Sequence, residues 1–152
     1  MTDGDTDTLK QMRHNVKLNL SEEEISSSTS PIRCEQLRWG RNLSSFRERH
    51  INDYKKRNGE NNDSYDGLFD LIMGSDIIYV EEILEPLFET VAQLLSIQTN
   101  DMKNNTESTP KFLLAYARRN VSIDLVLNCA TRFGFEWVEP NDSEGVFIFT
   151  RK

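Results

Sequence analysis

Hydrophobic residues are spread unevenly along this chain. From Gly67 to the end they recur with the periods of ordinary secondary structure, whereas before Gly67 they are sparse and set among polar and charged residues. LFDLIM, bounded by Gly67 and Gly74, is nearly continuous in apolar character and predicts a strand covered on both faces. Leu84, Leu87, Phe88, Val91, Leu94 and Leu95 follow at helical spacing. Pro86 falls in the first turn of that helix, where its missing N–H costs nothing. KFLLAYA predicts a second buried strand. Ser122 suits the N-cap of a further helix whose face is Ile123, Val126, Leu127, Ala130 and Phe133, ended by Gly134. FEWVEP and GVFIFTRK, joined by a short Asn-Asp-Ser-Glu turn, predict an antiparallel hairpin.

The first half carries weaker signals. MTDGDTDT reads as a frayed start, and LKQMRHNVKLNL as a short helix with Leu9, Met12, Val16 and Leu20 on one side. SEEEISSSTSP reads as a loop. A short strand is expected at 32–39, from Ile32, Cys34, Leu37 and Trp39, ending at Gly40. Residues 41–66 read as a polar, disordered insertion, in which Phe46, Ile51 and Tyr54 support at best one marginal helix. Two parts result: a polar N-terminal part, 1–66, and a core-forming part, 67–152.

The order of elements in the second part is strand, helix, strand, helix, hairpin. It predicts an α/β fold with an open, mostly parallel sheet, right-handed crossovers and a C-terminal antiparallel hairpin. Ligands of such sheets sit at the carboxyl ends of the strands. Gly74-Ser75-Asp76 stands at such an end.

Composition narrows the function classes. The chain has 152 residues, room for one domain, and a net charge of −7. An acidic chain is unsuited to general nucleic-acid binding, which needs cations gathered on one face. The basic run Arg47, Arg49, Lys55, Lys56 and Arg57 is interleaved with Glu48 and Asp53 and reads as solvated surface. No apolar run is long enough to span a membrane. Cys34 and Cys129 form no pair pattern, and His14 and His50 are isolated, so two buried thiols and no metal site are expected. The acidic first residues lack the apolar segment of a secretory leader, which sets the expected location as cytoplasm or nucleus.

Four stretches carry a resemblance. GSDIIYVEEILEPLFETVAQLL resembles the segment after the fourth strand of seven-strand, S-adenosylmethionine-dependent methyltransferases. It is similar in particular to the protein-lysine methyltransferases that modify valosin-containing protein and heat-shock chaperones. RHNVKLN resembles the helix after their second strand, CEQLRWG their third strand with its Leu-x-Trp-Gly end, and LLAYARRNVSIDLVLNCATRFGFEW their fifth strand and following helix. The likeness covers roughly 12–40 and 67–152. It implies a Rossmann-like fold, S-adenosyl-L-methionine as methyl donor and a protein substrate.

By the same resemblance Trp39 lies near the adenine of the donor, Gly74 and Ser75 line the donor pocket, and Asp76 and Tyr79 face the target amine. The residue types suit the chemistry. Methyl transfer from a sulfonium is an in-line displacement, which needs positioning above all. The amine must be neutral to attack; a carboxylate orients it and accepts its proton, and a phenol hydrogen-bonds it. Structural roles stay open beside these. Trp39 suits packing, Asp76 a turn cap, and Tyr79 a core aromatic with its hydroxyl at the surface. Glu81 and Glu82 read as first-turn acids, and Trp137 as packing on the sheet. Tyr116, Arg118 and Arg119 end the next strand on the same edge, where they contact a protein substrate or simply face solvent.

The family's donor site also calls for a Gly-rich turn after the first strand and an acidic residue ending the second, for the ribose hydroxyls. None of the seven glycines, Gly4, Gly40, Gly59, Gly67, Gly74, Gly134 and Gly145, forms Gly-x-Gly. The expectation is therefore a fold lacking the first two strands: the C-terminal portion of a methyltransferase domain. CEQLRW would then have no neighbour and LFDLIM one bare edge. The alternative is a non-catalytic remnant that binds a protein partner at that edge.

Overall fold

The computed structural model describes residues 1–21, 32–58, 68–96, 109–117 and 120–151. It divides into two units, Met1–Gly67 and Leu68–Lys152. Expectations for the SEEEISSSTSP loop, for Arg118 and Arg119, and for most of the loop before Lys111 fall outside the described residues.

The first unit contains β1 (Thr2–Asp3), α1 (Thr6–Asn19), β2 (Glu35–Gln36) and α2 (Leu43–Asn58). β1 and β2 run parallel, with Thr2 beside Glu35 and Asp3 beside Gln36. The Glu35 amide donates to the Met1 carbonyl and the Leu37 amide to that of Asp3, both at 3.0 Å. Two expectations are corrected here. The start of the chain is not frayed, and CEQLRW has a neighbour. Asp and Gly read as breakers, yet Asp5 works as a cap: its Oδ1 accepts the amides of Asp7 at 3.0 Å and Thr8 at 2.8 Å and so starts α1 directly after the strand.

The strand expected at 32–39 is only two residues long, because Trp39 and Gly40 already turn, with Gly40 at φ 67°. The stretch 41–66, expected as a polar, disordered insertion with at best one marginal helix, holds the 16-residue α2. Leu43 and Phe46 bury one side of its first turns, and Arg33 pairs with Asp53 at 2.5 Å. Of these two apolar anchors the sequence reading names Phe46 and misses Leu43, which stands among polar residues.

The second unit contains β3 (Leu71–Ser75), a 3-10 turn (Glu81–Ile83), α3 (Leu84–Leu94), β4 (Lys111–Ala115), α4 (Ile123–Arg132), β5 (Phe135–Val138) and β6 (Val146–Arg151). The sheet order is β3-β4-β6-β5. β3 and β4 are parallel, and β6 is antiparallel to both its neighbours, so three of the four strands run the same way. This is the expected α/β sheet with its antiparallel closing strand.

One face of the sheet is a core. Phe88 of α3 stands at its centre, with ring centroids 6.2 Å from Phe112, 6.0 Å from Phe135 and 5.5 Å from Phe149. Leu84, Leu87, Val91 and Leu94 add the rest of the α3 face, and Val126, Cys129 and Ala130 that of α4. Ser122 caps α4 by accepting the Asp124 amide at 3.2 Å, and Gly134 ends it at φ 80°. Arg132 of α4 reaches Glu85 of α3 at 2.6 Å on the surface.

The other face corrects the reading of LFDLIM. The strand starts at Leu71, and register sets Met73, Leu113, Ile148 and Val138 in one row across all four strands. Met73 is 72% exposed and Val138 58%. An apolar run shows what a face is made of, not whether anything lies on it. Past Phe69, whose backbone is paired with Leu94 and Ser96 at 2.9 Å, β3 has no second neighbour among the described residues. The N–H and C=O groups of Leu71, Met73 and Ser75 face away from β4, as the alternation of a parallel ladder requires.

Candidate functional site

The strand end at Gly74-Ser75-Asp76 is built by close packing. A Cβ placed on Gly74 would lie 2.5 Å from Cδ1 of Ile77 and 3.5 Å from Cε2 of Phe112. A larger residue here would require the end of the Ile77 side chain to move aside. Asp76 then adopts φ 53°, the left-handed region that aspartate tolerates better than most residues. Its amide donates to the Ala115 carbonyl at 3.0 Å, extending the parallel ladder one step beyond β3.

Ile78 is buried at 3% exposure and anchors the turn, while Ser75 is exposed and Tyr79 is 49% exposed. Oδ1 of Asp76 is shut off from solvent. The structure therefore brings Gly74, Ser75, Asp76 and Tyr79 into one turn at the carboxyl end of β3. The helical turn that follows has Val80 at its N-cap and no side-chain cap, so Asp76 does not cap it. Glu81 and Glu82 are exposed in that first turn, where the helix dipole favours acids.

Neighbouring candidates are engaged in structure. Tyr116 follows β4; its amide donates to the Gly145 carbonyl at 2.8 Å and its hydroxyl to the carbonyl of Val121. That latch holds the loop into α4. Trp137 packs edge-on to Phe147 at 6.2 Å, at the margin of the sheet.

Trp39 belongs to the first unit, in the turn after β2, where it is half-buried. The same unit holds a residue that sequence reasoning missed. β1 ends at Asp3, and Gly4 lies 3.6 Å, measured from an added Cβ, from both Cγ of Arg38 and the carbonyl oxygen of Leu37. Asp3 Oδ1 accepts the Asp5 amide at 2.7 Å. Asp3 is thus an acidic residue at the end of a parallel strand. A two-residue strand lies below what periodicity registers. The available signal was Thr-Asp-Gly-Asp running straight into a capped helix.

Titration is perturbed at few places. Burial lowers the pKa of His50, opposed by Glu35, whose carboxylate is 3.6 Å away, while the ring packs on Phe46 at 4.6 Å. Burial raises the Cys129 thiol. Both cysteines are free; Cys129 is buried as expected, whereas Cys34 is only half-buried. Among the described residues no three His, Cys, Asp or Glu side chains converge as for a metal ion, and no helix is long and apolar enough to cross a membrane. Compared with protein-family models and with curated proteins, the chain matches none.

Proposed function

We propose that this chain is part of a Rossmann-like, S-adenosylmethionine-dependent methyltransferase that acts on lysine side chains of a protein substrate. One observation carries the reading: Gly74, Ser75, left-handed Asp76 and half-exposed Tyr79 share one turn at the carboxyl end of a strand in a mostly parallel sheet. The donor would supply an electrophilic methyl group on sulfur. Asp76 orients the lysine amine and takes its proton, and the Tyr79 hydroxyl hydrogen-bonds the same nitrogen. Gly74 keeps that strand end free of a side chain, and Ser75 offers a hydroxyl to the donor. In the first unit, Asp3 and Trp39 at adjacent strand ends suit a nucleoside, the carboxylate for paired hydroxyls and the indole for a flat base.

Calorimetry of the purified chain with S-adenosylmethionine tests the reading. Measurable affinity that falls about tenfold or more in Trp39→Ala, with transfer of labelled methyl to lysine lost in Asp76→Asn, supports it. Absence of donor binding overturns it. The open edge of β3 would then favour the second reading, a non-catalytic module that binds a partner by strand addition.

A further inference from the structure

The first unit contains a cleft of about 630 Å³ beside β2. Four arginines line it: Arg13 from α1, Arg38 and Arg41 from the turn after β2, and Arg49 from α2. Among the described residues Glu35 is the one carboxylate in the lining. This gathers positive charge from three elements on a chain whose net charge is −7. Arg13 donates to the Cys34 carbonyl at 3.2 Å, and Arg49 lies over the Phe46 ring at 5.7 Å, 4.0 Å from Glu35. Those two are tied into the walls. Arg38 and Arg41 are exposed, and their guanidinium groups have no ion-pair partner among the described residues.

A second, independent feature lies in the backbone. Glu35 and Leu37 turn their amides to β1, so alternation turns the N–H and C=O of Gln36 to the outer side of the strand. There they meet no partner among the described residues. The Gln36 side chain is held elsewhere, donating to the Gly4 carbonyl at 3.0 Å.

We propose that this cleft binds an acidic segment of a partner protein in extended form. Its backbone pairs with Gln36 at the edge of β2, and its carboxylates meet Arg38 and Arg41 as planar forks. Among the described lining residues the aromatic one, Phe46, is buried and covered by Arg49, so it offers no ring face to a nucleobase. The open backbone position favours a peptide over a free anion. Asp3 and Trp39 are not among the described lining residues, and the inference stands apart from the methyl-transfer reading.

Fluorescence anisotropy tests it on the full chain, with a labelled octapeptide of alternating glutamate and threonine. Binding is expected to weaken about tenfold or more in the double variant Arg38→Glu, Arg41→Glu, and similarly when the peptide backbone is N-methylated at alternate residues. Neither arginine holds the fold together, so the variant keeps the circular dichroism of the parent. Absence of binding, or binding unchanged in the variant, overturns the proposal. So does displacement of the peptide by an equal concentration of inorganic phosphate with no effect of N-methylation, which marks a simple anion site.

Discussion

Gly74 and Ile77 share one volume: the position a Cβ would take on the first lies 2.5 Å from Cδ1 of the second. The turn that presents Ser75, Asp76 and Tyr79 packs the Ile77 side chain against that bare position. Gly74→Ala forces Ile77 out of place at a cost of about 1 kcal/mol. Urea denaturation should show a lower midpoint with an unchanged slope. If the turn serves the donor, binding falls further than stability does.

Adjacent strands make opposite predictions for the two faces of the sheet. Leu114 is fully buried beneath α3 and α4, and Leu114→Ala should cost roughly 2–5 kcal/mol. Met73 stands on the open face, and Met73→Lys should change stability by no more than about 0.5 kcal/mol. Equal losses at the two positions would mean that the register of β3 on β4 is wrong. The lysine should also slow aggregation at high concentration, since it interrupts an apolar row on an edge strand.

Asp5 links acid sensitivity to the start of α1. Hydrogen bonds from Thr8 lower its pKa, so its charged form is favoured in the folded chain. The contribution is fully present above the unfolded pKa, about 3.9, and is lost as pH falls through the lower folded value. Asp5→Asn retains a capping oxygen without titrating. Far-ultraviolet circular dichroism across acid pH should show a shallower loss of helix in the variant than in the parent.

His50 has a different window. Burial lowers its pKa, so the unfolded chain binds the proton more readily than the folded one. Stability should fall as pH drops below about 6.5, the unfolded value, and level off below the folded pKa. His50→Gln should flatten that slope. The imidazole resonances, followed by NMR, should titrate below the usual histidine value.

The α3 and α4 helices were legible because each has one continuous apolar face and clear ends. Ser122, Gly134 and the first-turn Pro86 all do what their residue types imply. The hairpin was legible from the short polar turn between two apolar runs. The β1 strand was not, since two residues carry no period, and its Asp-Gly-Asp spells a turn in isolation. The α2 helix was masked because Leu43 and Phe46 are its buried anchors among many charges. At the candidate site, the strand end could be read from Gly74. The left-handed turn at Asp76 could not, because aspartate fits several conformations that the sequence alone does not separate.

The placement of β6 has a consequence for how the molecule is made. Among the described strands β5 pairs only with β6, and β6 leaves the ribosome after β3, β4 and β5. Until Val146–Arg151 emerges, β5 finds no ladder to join and the Phe88 cluster lacks Phe149. The second unit therefore completes its sheet only when synthesis has passed β6, and a nascent chain stalled before that point would hold three exposed phenylalanines for a chaperone to shield.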